Sequence, residues 1–197
     1  KWRDRVLDIA TVFELAVDGT VTDLWVYEVV NTADGAYIGS IFAEASEVLD
    51  RWCPAVTDVA MRVAERVAEE GYFGPVCLDH FVWSAGGDRR LRPLADLNAR
   101  LQVSAPILSL WRSWGADRVV YWRLFAARKL HLPSDYPELE AALGGDAFDA
   151  GTRRGVLVTS PFGVDGKKFR RFGVLLAGDT RAEVEKMDRK LRERFEK

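Results

Sequence analysis

The chain has 197 residues, 48% of them hydrophobic and 29% charged, with a formal net charge of −2. That is ordinary globular composition, and the near-neutral balance supplies no bulk attraction to nucleic acid or to an anionic membrane. No apolar run reaches the roughly 18 residues of a membrane helix, and the two cysteines, Cys53 and Cys77, fit neither a metal-site spacing nor a disulfide framework. A reducing, cytoplasmic setting is the expectation. No signal peptide is visible, and the start at Lys1, moving at once into strand-like sequence, reads as a fragment cut from a longer protein in preference to a mature chain after processing.

Ile9, Thr11, Phe13, Leu15 and Val17 alternate along a first strand, and Asp18-Gly19 offers a turn. The β-branched and aromatic run from Val21 to Val30 then returns as its hairpin partner. Tyr37 to Phe42 is a short extended piece. Val56, Val59, Ala60, Val63, Ala64, Val67 and Ala68 recur at helical spacing, with Pro54 suited to the first turn and Gly71 to a left-handed stop. Gly74-Pro75 leads into a strand through Asp79, and Leu91 to Asn98 is its hairpin partner across Gly86-Gly87.

From Ala105 to Lys129 the pattern reads as helical and aromatic, split into two helices at Gly115. Asp135 to Leu143 is a short helix stopped by Gly144-Gly145, and Gly155 to Ser160 and Phe169 to Leu176 are strands. Asp179 or Thr180 caps a last helix with the apolar stripe Val184, Met187, Leu191 and Phe195. Grouped rather than alternating elements predict an α+β fold, an antiparallel sheet flanked by helices.

The chemistry concentrates in Leu78-Asp79-His80-Phe81 and Asp96-Leu97-Asn98-Ala99-Arg100. The hairpin puts Asp79 and Asp96 on neighbouring strands, and period-two alternation sends Asp96, Asn98 and Arg100 to one face. Two carboxylates and an amide oxygen suit a hard divalent cation, and a guanidinium beside them suits phosphate oxygens. The plainer reading is an exposed sheet face on which the aspartates pair with Arg89, Arg90, Arg92 or Arg100. His80 should point to the opposite face in a structural role, Trp111, Trp114 and Trp122 read as core, and Lys167, Lys168, Arg170 and Arg171 read as a solvated hairpin that could otherwise meet an anionic substrate.

The helix, the string Gly71-Tyr72-Phe73-Gly74-Pro75 through Asp79, and the hairpin into Asp96-x-Asn98-x-Arg100 together resemble the carboxy-terminal lobe of ATP-grasp enzymes, over roughly Ile9 to Val103. The resemblance implies that Asp79, Asp96 and Asn98 hold Mg2+ (or Mn2+) against ATP phosphates. It implies further that Arg100 faces the transferred group and that Phe81 lies beneath adenine. Asp96 stands where most members have glutamate. Arg100-Leu101-Gln102-Val103 also resembles biotin carboxylase, but Ser104 replaces that enzyme's glutamate, which argues against bicarbonate activation.

The expected organisation is a lobe over 1–104 with an appended segment over 105–197 containing a small strand–helix unit. The expected parent is an ATP-dependent ligase that forms an acyl phosphate from a small carboxylate for capture by an amine-type nucleophile. Its amino-terminal nucleotide-binding lobe is absent from this sequence, so the fragment alone should be inactive. No nucleic-acid or membrane partner is expected, and a homodimer stays open. Two alternatives remain: a non-catalytic ATP-grasp-like interaction or regulatory domain, and a metal-dependent phosphate hydrolase.

Overall fold

A computed structural model describes residues 4–44, 46–133, 135–161, 163–164, 167–168 and 170–196. In chain order its strands are β1 (Arg5–Leu15), β2 (Val21–Asn31), β3 (Tyr37–Phe42), β4 (Gly74–Ala85), β5 (Asp88–Asn98), β6 (Val119–Ala126), β7 (Gly155–Val158), β8 (Gly163–Val164), β9 (Lys167–Lys168) and β10 (Arg171–Gly178). The helices are α1 (Glu47–Asp50), α2 (Cys53–Glu69), α3 (Ala105–Ser113), α4 (Tyr136–Leu143) and α5 (Arg181–Phe195). The architecture is α+β, with antiparallel sheets flanked by helices. Among the described residues no helix is long and apolar enough to cross a membrane.

The chain divides into two units, Lys1–Asn31 with Ala45–Pro106 and Thr32–Glu44 with Ile107–Lys197. In the first, the strands lie in the order β5-β4-β1-β2. β1 begins earlier than its apolar alternation suggests, at Arg5, and ends at Leu15; Val17 sits in the following turn, 83% exposed. Asp18 Oδ1 accepts from the Thr20 amide at 2.9 Å to close that turn.

Helix α2 carries Pro54 at its start, and Gly71 follows its end at φ +80°. Its face lays Val59, Ala60 and Ala64 on Phe13, Leu15, Val76 and Leu78. One turn earlier, Val56 packs with Leu7, Ile9, Leu49 and Val82. Each large side chain so buried stabilises the unit by about 1.5–3 kcal/mol. One face of the sheet is thereby covered, which leaves the other for Asp79.

The second unit orders its strands β3-β6-β10-β7. Here one expectation fails: Val119 to Ala126 is a strand, not a second helix after Gly115. Its aromatics imitate helical spacing, but Val119-Val120-Tyr121-Trp122 is β-branched and aromatic sequence suited to a strand paired on both edges. The indole of Trp122 is buried and donates to Thr159 Oγ1 at 3.1 Å, and that of buried Trp111 donates to the Arg118 carbonyl at 2.7 Å.

α4 and α5 form as the sequence indicates, capped by Asp135 and Thr180. In α5, however, Asp188 joins Val184, Leu191 and Phe195 in the buried stripe while Met187 is only half-buried. Arg123 explains this, because its Nε meets Asp188 Oδ1 at 3.1 Å. Phe162, Asp165, Gly166 and Phe169, around which the last hairpin was expected, lie outside the described residues.

Candidate functional site

Gly86 and Gly87 both adopt positive φ (61° and 91°), the two-residue turn whose twist matches that of its flanking strands. From it β4 and β5 pair in regular register, Ala85 opposite Asp88 through to Phe81 opposite Arg92. The register then shifts. One residue, His80, separates Phe81 from Asp79, whereas Pro93, Leu94 and Ala95 separate Arg92 from Asp96. Beyond this bulge Asp79 faces Asp96 directly, and Cys77 faces Asn98.

Three of the candidate residues are therefore in contact. Asn98 Nδ2 donates to Asp79 Oδ2 at 3.2 Å and to Asp96 Oδ2 at 3.4 Å, and the Leu97 amide donates to Asp96 Oδ1 at 3.0 Å. Arg100 Nη2 donates to Asn98 Oδ1 at 3.0 Å, which adds the fourth. Burial first, then the facing Asp96 carboxylate, push the Asp79 carboxyl above its ordinary value, while Arg5 and Arg100 pull it back. Like charges in this arrangement are what a divalent cation relieves.

Among the described residues no set of three or more His, Cys, Asp or Glu side chains is placed to hold a metal ion. The donor set is thus two carboxylates and a carboxamide. It fits Mg2+ if the Asn98 amide turns over: its NH2 now faces the carboxylates, and its oxygen is taken by Arg100.

Phe81 is on the same face, but its ring carries the Arg5 guanidinium at 4.7 Å from the centroid and lies 5.9 Å from that of Trp83. A base stacking there would share the ring with Arg5. Arg5 also ion-pairs Asp8, which lies opposite Phe81, and Asn31 Nδ2 donates to Asp8 Oδ2 at 2.8 Å. Burial pushes the Asp8 carboxyl up against these partners. Sequence reasoning missed Asp8 and Arg5, whose signal was two charged residues in the first half of a largely apolar strand.

Across the sheet Tyr27, Ala10, Asp79 and Asp96 form one row, Tyr27 opposite Ala10, Ala10 opposite Asp79, and Asp79 opposite Asp96. Ser104 is buried with its Oγ 2.8 Å from the Tyr27 hydroxyl. The position that departs from biotin carboxylase is therefore filled by a neutral hydroxyl pair.

The second unit holds a cleft of about 980 Å³, lined by Arg123, Arg128, Lys129, Arg170 and Arg171 with Asp34 and Glu196. Of the late basic run, Arg170 and Arg171 therefore border a concave surface; the side chains of Lys167 and Lys168 lie outside the described residues.

No family model matches the chain, and no curated protein matches it. Solved structures do. A complex of ADP with PurK, N5-carboxyaminoimidazole ribonucleotide synthetase, is similar over 98% of this chain and 50% of its own, with a TM-score of 0.59 and 13% identity. The phosphoribosylaminoimidazole carboxylase ATPase subunit of Aquifex aeolicus matches over 96% and 59%, with a TM-score of 0.59 and 12% identity. The biotin carboxylase domain dimer of Hydrogenobacter thermophilus 2-oxoglutarate carboxylase, in complex with MgADP, ADP and bicarbonate, matches over 96% and 45%, with a TM-score of 0.53 and 10% identity.

The fold is the ATP-grasp carboxy-terminal lobe. The chain spans about half the length of these ATP-grasp structures. The similarity extends past the hairpin, since almost the whole chain is covered, including the segment after Ser104 that the sequence left unassigned.

Proposed function

We propose that this chain is the metal-holding half of an ATP-dependent ligase, acting on a small carboxylate substrate. The observation that carries the reading is the facing pair Asp79 and Asp96, tied together by Asn98 and followed by Arg100, on the face of the sheet opposite to α2. The structurally similar proteins support it, because they are an ADP complex of a synthetase and an MgADP complex of a carboxylase domain.

In this reading Asp79, Asp96 and the Asn98 carboxamide hold Mg2+ or Mn2+. The cation, when bound, neutralises charge on the ATP phosphates. Arg100 stabilises negative charge on the phosphoryl group as it passes to a carboxylate oxygen of the substrate, with ADP leaving. The acyl phosphate is then attacked by an amine-type nucleophile, which loses a proton as inorganic phosphate departs. Protein groups here position and neutralise rather than form bonds. The hydroxyl pair of Ser104 and Tyr27 offers no carboxylate base, in keeping with an acceptor that is already a nucleophile.

Removal of one such electrostatic contact costs about 10²–10³ in rate. In the intact protein, Asp96→Ala and Arg100→Ala should each lower ATP-dependent turnover by that factor. Near-normal turnover in either variant rules the assignment out. A wild-type protein that binds no nucleotide at millimolar MgATP, measured by calorimetry, is instead an interaction domain on the same fold, and phosphatase activity without ATP specificity marks a hydrolase.

A further inference from the structure

His80 lies on the face of β4 opposite to Asp79, fully buried beneath α2. It separates two apolar clusters, with Leu78 in one and Val82 in the other. Its imidazole links three strands. Nδ1 is 2.5 Å from the Pro93 carbonyl on β5, and Nε2 is 3.0 Å from Thr11 Oγ1 on β1. A carbonyl only accepts, so Nδ1 carries the proton and Nε2 accepts from the threonine hydroxyl.

Pro93 opens the bulge, and this is where an uninterrupted ladder would fail. Proline has no amide to give, and the three residues Pro93, Leu94 and Ala95 stand against His80 alone. Continued at the register of Phe81 and Arg92, the pairing would set Leu94 opposite Asp79. Leu94 instead packs with the α2 cluster of Phe13, Val76 and Leu78. The two additional residues preserve the alternation of faces, so Asp96 and Asn98 arrive beside Asp79 with the correct orientation.

We propose, building on the ligase reading above, that His80 is a positioning residue for the metal site: its hydrogen bond to the Pro93 carbonyl fixes the bulge that brings Asp96 and Asn98 into register with Asp79. The imidazole never meets substrate. It acts through the backbone of β5, with the Pro93 carbonyl setting its tautomer and Thr11 helping to hold the ring orientation.

Three substitutions of the intact protein test this. Asparagine can place an N–H near the Nδ1 position, whereas glutamine places its amide near Nε2 and leucine supplies no donor. Loss of a partner that orients ligands costs about 10–100-fold in metal affinity. Mn2+ titration followed by electron paramagnetic resonance should therefore show at least a tenfold weaker site in His80→Leu and His80→Gln, with His80→Asn within about threefold of wild type. Backbone nuclear Overhauser contacts between Asp79 and Asp96 should be lost in the first two variants and kept in the third. If His80→Leu does not fold, the contrast between the asparagine and glutamine variants decides. Equal Mn2+ affinity in those two, or retained contacts between Asp79 and Asp96 in His80→Gln, overturns the proposal. A wild-type protein with no Mn2+ affinity while its Asp79–Asp96 contacts are intact would instead defeat the ligase reading and leave the role of His80 in the register standing.

Discussion

At the scale of single residues, the metal role proposed for Asp79 opposes its contribution to stability. Its carboxyl is pushed above the ordinary value by burial and by Asp96, so the charged form at neutral pH is less stable in the folded chain than in the unfolded one. Without divalent metal, Asp79→Asn should therefore raise stability at pH 7 by about 1 kcal/mol, within the range of neutral-to-stabilising changes at functional sites. Urea denaturation in EDTA would check it; a destabilised variant would show that Asp79 serves the fold. Asp79, Asp96, Asn98 and Arg100 were all legible in the sequence, because hairpin pairing and period two suffice to gather them on one face. Arg5 over Phe81 was not legible, since no local pattern reports a contact between residues so far apart in the chain.

At the scale of elements, close approach of strands imposes its own demands. A Cβ at Gly39 on β3 would stand 2.1 Å from the Trp122 carbonyl on β6, with φ at +156°. Gly39→Ala should destabilise the second unit by about 3 kcal/mol, the upper range for overpacking; thermal unfolding with an unchanged midpoint would refute the contact.

A second element-level link ties the Gly144–Asp146 turn to α5, where Lys190 Nζ meets Asp146 Oδ1 at 2.8 Å and Arg194 also approaches. The Lys190 hydrogen bond, with the nearby positive charges, holds the Asp146 carboxyl below its ordinary value. A depressed carboxylate contributes stability above its unfolded value of 3.8 and loses it as pH falls through the lower folded value. Asp146→Asn should thus cost about 0.5–1 kcal/mol at pH 7, and the difference from wild type should vanish in strong acid. A difference independent of pH would assign the effect to packing.

The misreading of β6 as a helix shows the limit of periodicity. Aromatics spaced for a helix face also suit a strand, and only pairing to β3 and β10 settles the choice.

At the scale of the whole molecule, the chain aligns with only half of each similar structure, and the ligase reading concerns the intact protein. A ligand that binds only the native state stabilises by about 2.7 kcal/mol at a hundredfold excess over its dissociation constant. MgADP should raise the midpoint of thermal unfolding of the intact protein accordingly, and EDTA should cancel the shift. A shift that survives EDTA would separate nucleotide binding from Asp79 and Asp96.

By itself the sequence determined the helix α2, the β4–β5 hairpin, the acidic face and the resemblance to the ATP-grasp lobe. The first three follow from local periodicity, turn glycines and short spacings, and the resemblance rests on the string from Gly71 through Asp79 together with Asp96-x-Asn98-x-Arg100. Tertiary structure alone decided the two-residue bulge that brings Asp96 opposite Asp79, the assignment of residues 32–44 to the second unit, and the basic cleft. At the bulge a buried imidazole meets a carbonyl 13 residues away. Such a contact exists only once the chain has folded.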